Sequence, residues 1–177
     1  MSTETAPDQA TELSPLDETR FGVMSARARL VTTKNLPAVL AFCAANQVKF
    51  LVARCPTTDI SAAHAMEAAG FRLMETLLYL RFDLKTSPIP INKSNVLIRP
   101  VQPNEVSRVG ALAHAAFTNY YGHYHADPKL DPQKSTEVYV DWAKRCCTDP
   151  AAANLVLVAE AEGELVGFRA LRVNSPI

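Results

Sequence analysis

The sequence predicts an α/β fold in which a mixed, largely antiparallel central sheet is flanked by helices and divided into two partial units. Apolar residues make up 48% of the 177 residues, which is enough for a packed core. Segments with strand and helix patterns alternate along the chain. The stretch KTSPIPINKSN at 85–95 is rich in proline and serine, and it predicts a linker between units of similar size.

Residues 1–15 are polar and predict a disordered tail, after which 16–84 form the N-terminal unit. In this unit, residues 22–33 interleave good strand formers with polar residues and predict a strand. Asn35 predicts the N-cap of a helix that runs to about residue 46, with Pro37 in the first turn where a missing N–H costs nothing.

The rest of the N-terminal unit predicts a strand, a helix and a further extended segment. Residues 48–54, VKFLVAR, form a short apolar run that is typical of a buried strand. A helix follows over ISAAHAMEAA, capped by Asp59 or Ser61 and ended by Gly70. Residues 71–84 predict a long strand or a bent hairpin.

The second unit, 96–177, opens with a strand at 96–99 and a helix at 106–117. A second helix is predicted at 135–147, with Val138, Trp142 and Cys146 on its apolar face. Residues 155–173 then predict a hairpin around a tight turn at Glu162 and Gly163. We expect the strand near 96–101 to share one sheet with this hairpin.

The charge and hydropathy of the chain argue against two classes of partner. There are 18 basic and 18 acidic residues, so no excess of cations is available to neutralise nucleic-acid phosphates. No apolar run approaches the ~18 residues of a membrane span, and the polar start does not read as a signal peptide. We therefore expect no nucleic-acid or membrane partner. Four cysteines without CxxC spacing predict a cytoplasmic protein with free thiols.

Three stretches resemble the GCN5-related N-acetyltransferase superfamily. IRPVQPNE at 98–105 resembles the start of that fold, and VLVAEAEGELVGF at 156–168 resembles its second and third strands. ISAAHAMEAAGFRLMETLLYLRFDL at 60–84 resembles its closing half. The two-unit layout is similar to acetyltransferases that modify amino sugars carried on a nucleotide. The resemblance implies acetyl transfer from acetyl-coenzyme A to a small-molecule amine acceptor, an amino sugar in those enzymes.

The chain departs from that family where the cofactor binds. The family holds the pyrophosphate of acetyl-coenzyme A on a glycine-rich turn at a helix N-terminus. None of the six glycines here forms a G-x-G, and the second unit stops before the fourth strand would begin. We therefore expect weak or no binding of acetyl-coenzyme A by these residues, and we assign no catalytic residue. The alternatives are a truncated or degenerate relative that binds a small molecule or partner without catalysis, or a sugar-nucleotide binding module.

The resemblance places the acceptor pocket in the segment between the first two helices of the second unit. Tyrosines there offer an apolar face with a polar tip, and histidine and aspartate can hold or deprotonate an ammonium. The alternative is a loop whose aromatic rings pack on the sheet and whose histidines are solvated. Alternate residues of an extended strand could also chelate a metal, but we assign no metal. The predicted substrate-binding residues are Tyr120, Tyr121, His123, Tyr124, His125 and Asp127.

Two further features of the hairpin bear on function. Glu160 and Glu162 could act as a base through water, but a solvated hairpin tip is the favoured interpretation. The last strand, 165–173, has no following strand in the sequence and predicts an open edge. That edge would pair either with the strand at 23–31 of the same chain or with a second copy, and we favour a homodimer.

Overall fold

The computed structural model describes residues 11–83, 85–88, 91 and 93–174, and the chain forms two compact units. Unit 1 contains the residues up to Leu77 together with Ala126–Leu130, and unit 2 contains Leu78–His125 and the residues from Asp131 onward. The predicted α/β class is confirmed, and three of the four strand pairings in the described residues are antiparallel. The strands form two separate three-stranded sheets, whereas the sequence predicted one central sheet.

Unit 1 combines an antiparallel and a parallel strand pair. Its elements are β1 (Thr11–Leu13), α1 (Pro15–Phe21), β2 (Ser25–Ala28), α2 (Leu36–Ala45), β3 (Phe50–Ala53) and α3 (Ile60–Ala68). β1 runs antiparallel to β2, and β2 runs parallel to β3 through the crossover helix α2. The core lies between the sheet and the two later helices and comprises Ala28, Val31, Leu36, Val39 and Met66.

The first described residues belong to this fold. Thr11 lies opposite Ala28 in the sheet, and the Ser14 N–H donates to the Ser25 carbonyl oxygen at 2.8 Å. The sequence analysis placed 11–15 in a disordered tail, and the structure places them in β1 and the start of α1. Composition misses this because an edge strand is held by main-chain hydrogen bonds, which any side chain permits. Residues 1–10 of the predicted tail lie outside the described residues.

The two predicted helices of unit 1, α2 and α3, are confirmed with one change in how they begin, and α1 was not predicted. The Asp59 carboxylate accepts the Ala62 N–H at 2.9 Å and caps α3 as predicted. The Asn35 side chain instead accepts the N–H of Thr32 at 2.8 Å, so it closes the turn before α2. The preceding strand is shorter than predicted, because Leu30 has a φ of 53° and turns the chain.

Helix α3 ends in a Schellman motif at Gly70. Phe71 donates its N–H to the Met66 carbonyl at 3.0 Å, and Gly70 donates to the Glu67 carbonyl at 2.9 Å. Gly70 has a φ of 92°, which favours glycine. The predicted helix end is therefore confirmed. In contrast, residues 71–83 form no strand or hairpin within the described chain, contrary to prediction, and Leu84 lies outside the described residues.

The predicted linker is described only in part. At its start Lys85 and Ser87 donate their N–H groups to the side chain and the carbonyl of Asp83, both at 2.9 Å. Residues 89, 90 and 92 lie outside the described residues. The boundary between the two compact units falls earlier, between Leu77 and Leu78.

Unit 2 is built on an antiparallel sheet. Its elements are β4 (Leu97–Pro100), a 3-10 helix (Pro103–Glu105), α4 (Val106–Phe117), α5 (His123–Ala126), α6 (Pro132–Thr148), β5 (Leu155–Ala161) and β6 (Glu164–Leu171). The strand order β4-β5-β6 confirms that the opening strand shares a sheet with the hairpin. Glu162 and Gly163 form its two-residue turn with φ values of 52° and 83°, as a type I′ turn requires.

Helices α4 and α6 cover the sheet of unit 2 and approach each other closely. A Cβ at Gly110 of α4 would lie 2.5 Å from Cε of Lys144, whose aliphatic chain crosses over the glycine. The apolar face of α6 is confirmed at Cys146 and wrong at Trp142, which is 44% exposed, and the other buried positions are Ser135 and Ala143. None of the helices in the described ranges is both long and apolar enough to cross a lipid bilayer.

Candidate functional site

An aromatic cluster of four rings lies where α4, α5 and α6 meet: Phe117, Tyr120, His125 and Tyr139. The Tyr139 ring stacks on Phe117 with centroids 4.2 Å apart and planes 9° apart. The His125 ring is parallel to Tyr139 at 6.3 Å. Tyr120 stands edge-on to the other three rings, 5.3 to 6.2 Å away. Edge-to-face and offset-parallel arrangements are those that aromatic quadrupoles favour, so the four rings hold one another in fixed orientations.

His125 is held by a hydrogen bond at each ring nitrogen. The Gly122 N–H points at Nδ1, 3.5 Å away, and Nε2 lies 3.3 Å from the Thr136 hydroxyl. Because a backbone N–H can only donate, Nδ1 accepts, and the neutral ring carries its proton on Nε2. The Thr136 hydroxyl lies 3.5 Å from the Pro132 carbonyl, to which it can donate. The two contacts therefore fix both the tautomer and the ring plane of His125.

The chain between α4 and α5 is shaped to place Tyr120 beside this histidine. The Thr118 hydroxyl donates to the His114 carbonyl at 2.7 Å, and the Tyr120 N–H donates to the Phe117 carbonyl at 3.1 Å. A Cβ at Gly122 would lie 2.6 Å from Cε1 of Tyr120. The tyrosine ring therefore lies directly over the glycine, and only glycine leaves room for it there.

Tyr124 is the predicted site residue that the structure places in the interior. Its side chain is buried, and its ring is edge-on to Tyr139 at 6.4 Å. Its carbonyl accepts the hydroxyl of the fully buried Ser135 at 3.0 Å. The His123 ring lies against it with centroids 4.1 Å apart. Tyr124 therefore supports the cluster from behind, while Tyr121, which is 73% exposed, lies at the surface.

Asp127 and the possible metal ligands are arranged differently from the prediction. The Asp127 carboxylate accepts the N–H of Lys129 at 2.9 Å and so closes a turn after α5. His123 and His125 belong to a helical turn, so the extended geometry that would align alternate residues does not occur. Within the described ranges, no group of three or more His, Cys, Asp or Glu side chains is placed to hold a metal ion.

Sequence reasoning missed two members of the cluster and one hydrogen-bond partner. Phe117 was predicted only as the last residue of the helix at 106–117, and Thr136 and Tyr139 were not singled out. Thr136 and Tyr139 are three residues apart on α6, so they lie on one helix face beside His125. This spacing could have identified both residues, but the sequence prediction put Val138 and Trp142 on the apolar face of α6 instead.

A charged network links β4 to the 3-10 helix and to β5 in unit 2. The Arg99 guanidinium donates to Glu105 at 2.8 Å through each of two nitrogens and to Glu160 at 2.6 and 2.9 Å. Glu105 also accepts the Gln102 N–H at 2.9 Å. The hydrogen bonds from Arg99 and then Gln102 lower the pKa of Glu105 to about 2. Glu160 therefore lies in an ion pair and not at a solvated hairpin tip.

A cavity of about 320 Å³ opens at the other end of α6. It is lined by Pro100 and Val101 at the end of β4, by Cys146 and Cys147, and by Val156 of β5, among others. Burial raises the pKa of both cysteine thiols. Because the thiolate is the reactive form, these thiols are poor nucleophiles at neutral pH.

Comparison with known proteins gives no family for this chain. No protein-family model matches it. No curated protein matches it at a significant level.

Proposed function

We propose that the chain is a member of the GCN5-related N-acetyltransferase superfamily whose unit 2 binds the amine acceptor of acetyl transfer. The observation that carries the proposal is the arrangement of unit 2. A first strand joins an antiparallel hairpin in one sheet, and two long helices lie between them in sequence. The aromatic segment stands between those helices, where the family places its acceptor pocket.

The chemistry of the aromatic cluster suits a cationic or sugar-like acceptor. Ring faces of tyrosine attract an ammonium by about 0.5–2 kcal/mol, and they also stack against the apolar face of a sugar ring. Tyr121 is exposed, and its ring lies 6.4 Å from His125. An acceptor seated against Tyr121 would therefore reach the rim of the cluster without disturbing its packed rings.

The described residues do not fit the cofactor of this family. The six helices in the described ranges begin at Pro15, Leu36, Ile60, Val106, His123 and Pro132, and no glycine-rich turn precedes any of them. Such a turn supplies the N–H groups that hold a pyrophosphate. This misfit favours the second candidate, an acetyltransferase-like protein that binds an amine ligand without catalysis. All four cysteines, each among the described residues, are free thiols, which supports the proposed cytoplasmic location.

Calorimetry on the full chain tests the two candidates together. The chain is titrated with D-glucosamine, with D-glucose as the matched sugar lacking the amine, and separately with acetyl-coenzyme A. Binding of glucosamine without binding of acetyl-coenzyme A supports the non-catalytic candidate. Binding of both glucosamine and acetyl-coenzyme A, with formation of N-acetylglucosamine, supports the enzyme. If neither glucosamine nor acetyl-coenzyme A binds, the proposed acceptor site is wrong. A low-micromolar dissociation constant for acetyl-coenzyme A corresponds to a binding free energy of about −8 kcal/mol. Such a value would contradict the conclusion that the described residues do not fit this cofactor.

A surface variant locates the amine site. Tyr121→Ala removes an exposed ring, and we expect about a tenfold loss of glucosamine affinity, as a cation–π contact of roughly 1.4 kcal/mol implies. Tyr79→Ala removes another exposed tyrosine outside the cluster, 87% exposed against 73% for Tyr121, and serves as the control. Equal affinities of the two variants would place the amine elsewhere.

A further inference from the structure

The cavity at the C-terminal end of α6, which we name the α6 cavity, lies wholly within unit 2. Its volume of about 320 Å³ lies at the lower end of the range of about 300–1,000 Å³ that is typical of small-molecule sites. None of the described residues that line it belongs to the aromatic cluster, so the proposed function does not use it. The walls are mainly apolar and are formed by Pro100, Val101, Cys146, Ala153, Leu155 and Val156.

Among the described residues that line the α6 cavity, Asp149 has the only charged side chain. It is half-buried, and its Oδ1 accepts the Ala151 N–H at 2.9 Å. No hydrogen bond from the described residues reaches its second oxygen, Oδ2. An asparagine would close the same turn through its own side-chain oxygen. The turn therefore does not account for the negative charge at this position.

Two main-chain carbonyl groups at the end of α6 also lack a donor among the described residues. Pro150 has no N–H, so the Cys146 carbonyl loses the donor that a continued helix would supply. The Ala151 N–H donates to the Asp149 carboxylate and leaves the Cys147 carbonyl without its helical donor. The last carbonyls of a helix point out of its C-terminal end and together carry about half a negative charge. An aspartate at this end adds charge of the same sign.

Two arginines approach this end of α6 without forming an ion pair with Asp149. Arg172 donates to the Ala151 carbonyl, and Arg145 is exposed on the last turn of the helix. In the described part of the chain neither guanidinium pairs with the Asp149 carboxylate. Burial and the charge of Asp149 raise the pKa of the Cys146 thiol, against an opposite effect of Arg145. The charge of Asp149 therefore acts on the wall of the cavity.

We propose that the α6 cavity binds a small organic ammonium ion that has an apolar body. A primary ammonium carries three N–H donors, and Oδ2 of Asp149 with the two helix carbonyls offers three acceptors. The apolar body would cover the walls at Val101 and Leu155 and displace water from them. This site lies at the opposite end of α6 from the aromatic cluster, so the inference goes beyond the proposed function.

The lining favours an organic cation over a metal ion. Ca²⁺ takes about six to eight oxygen ligands, and the apolar walls of the α6 cavity supply none. Within the described ranges, no group of three or more His, Cys, Asp or Glu side chains is placed to hold a metal ion. An alkylammonium needs acceptors on one side only, which is the arrangement that the end of α6 provides.

Calorimetry on the full chain tests the proposal with n-butylammonium as the probe. We expect a dissociation constant of about 1 mM or below, which is attainable for a ligand of five non-hydrogen atoms. The matched neutral ligand is 1-butanol, which has the same alkyl chain and should bind at least tenfold more weakly. Ca²⁺ is titrated separately at the same ionic strength and should not bind.

An isosteric variant tests the role of the carboxylate. Asp149→Asn removes the charge and keeps an oxygen that can accept the Ala151 N–H, so the turn after α6 is preserved. We expect at least tenfold weaker binding of n-butylammonium. The matched control is Asp59→Asn in unit 1, because the Asp59 carboxylate also accepts a main-chain N–H, that of Ala62, at 2.9 Å. This control should change the affinity by less than about twofold, since surface charges far from a site are screened.

Protection of a thiol locates the bound ligand. Cys147 is half-buried in the wall of the α6 cavity, and Cys55 is half-buried in unit 1. At ten times its dissociation constant, n-butylammonium should slow the alkylation of Cys147 at least threefold and leave that of Cys55 unchanged. The two rates are measured by mass spectrometry at mildly alkaline pH, at which the ammonium ion stays charged.

Three results would overturn the proposal. The first is no binding of n-butylammonium at concentrations up to about ten times the expected dissociation constant. The second is binding that survives Asp149→Asn or leaves Cys147 unprotected, because the ammonium would then lie elsewhere on the chain. The third is equal binding of 1-butanol or tighter binding of Ca²⁺, which would make the cavity a site for neutral apolar molecules or for inorganic cations.

Discussion

The two units bury a carboxylate in different ways. In unit 1, Asp17 is only 1% exposed, and its Oδ2 accepts the Ser14 hydroxyl at 2.7 Å and two N–H groups of Arg27 at 2.8 and 3.0 Å. The arginine itself is about one third exposed. The acid is therefore the deep member of the pair, and the cation reaches it from the surface.

In unit 2 the cation stands at the centre of the network. Arg99 joins Glu105 and Glu160, and all three side chains are partly or largely buried. A second carboxylate can share the arginine if the first is lost. The comparison shows that the cost of breaking a network depends on which group is removed, because loss of an arginine takes hydrogen bonds from a buried carboxylate, whereas loss of one carboxylate in unit 2 leaves Arg99 paired with the other.

Arg27→Met is the largest expected effect. It removes two hydrogen bonds from a buried carboxylate, and loss of one partner of a buried pair costs about 3–5 kcal/mol of unfolding free energy. Urea titration followed by circular dichroism measures the loss. Arg29→Met breaks the neighbouring pair with Glu12, in which both side chains are exposed, and should cost under about 1 kcal/mol. Equal losses would show that burial of Asp17 does not set the effect.

Acid titration of Glu105→Gln sharpens the comparison from the side of unit 2. The folded pKa of Glu105 is about 2 against an ordinary value of 4.5. Because its folded pKa is lowered, the ionised Glu105 side chain contributes its full stabilisation of the fold above pH 4.5. This contribution is lost as the pH falls toward 2. The gap in urea midpoint between the original chain and the variant should therefore be widest above pH 4.5 and narrow toward pH 2.

The control for this titration is a carboxylate at the surface. Glu164 pairs with Arg108 at 3.0 Å but is largely exposed. Glu164→Gln should give a small gap at every pH, because solvent screens an exposed pair. A gap for Glu105→Gln that stays constant down to pH 2 would contradict the role assigned to its ionised form.

Leu30→Asn is the smallest expected effect and has the opposite sign. Leu30 is 71% exposed and has a φ of 53°, a backbone conformation that asparagine adopts more easily than leucine. We expect the unfolding free energy to rise by about 0.5 kcal/mol, within the range seen when a residue is matched to its backbone. Leu16→Asn, in a helix, should lower it. A loss for both variants would show that side-chain contacts of Leu30 outweigh its backbone conformation.

The sequence predicted best what adjacent residues determine. The Asp59 cap, the end of α3 at Gly70 and the turn at Glu162 and Gly163 all follow from short-range hydrogen bonding and backbone preference. The common sheet of β4 with the hairpin was also predicted, from the apolar faces of its strands. The cap, the helix end and the turn need no knowledge of distant contacts, whereas the sheet pairs residues as far apart as Leu97 and Glu160.

The sequence predicted poorly what distant contacts decide. β1 lies in a polar stretch and is held by main-chain bonds to β2. Asn35 is an exception, because a local turn contact with Thr32 uses the same side-chain oxygen as the predicted cap. Tyr139 joins the aromatic cluster because α6 is rotated relative to the predicted face, and helix periodicity alone leaves that rotation uncertain by one position.

The buried Cys146 thiol of α6 can report how often the C-terminal end of this helix opens. The Cys146 thiol is almost wholly buried at the C-terminal end of the helix, and burial raises its pKa. Although Cys146 lines the cavity, it is only 3% exposed, so alkylation by a reagent such as iodoacetamide requires the last turns of α6 to move away from the sheet. When reclosing outpaces the chemical step, the alkylation rate is the product of the opening equilibrium constant and the rate for a free thiol. The time course of alkylation at Cys146, followed separately from the other three free cysteines, thus measures how often this part of unit 2 opens while the rest of the chain stays folded.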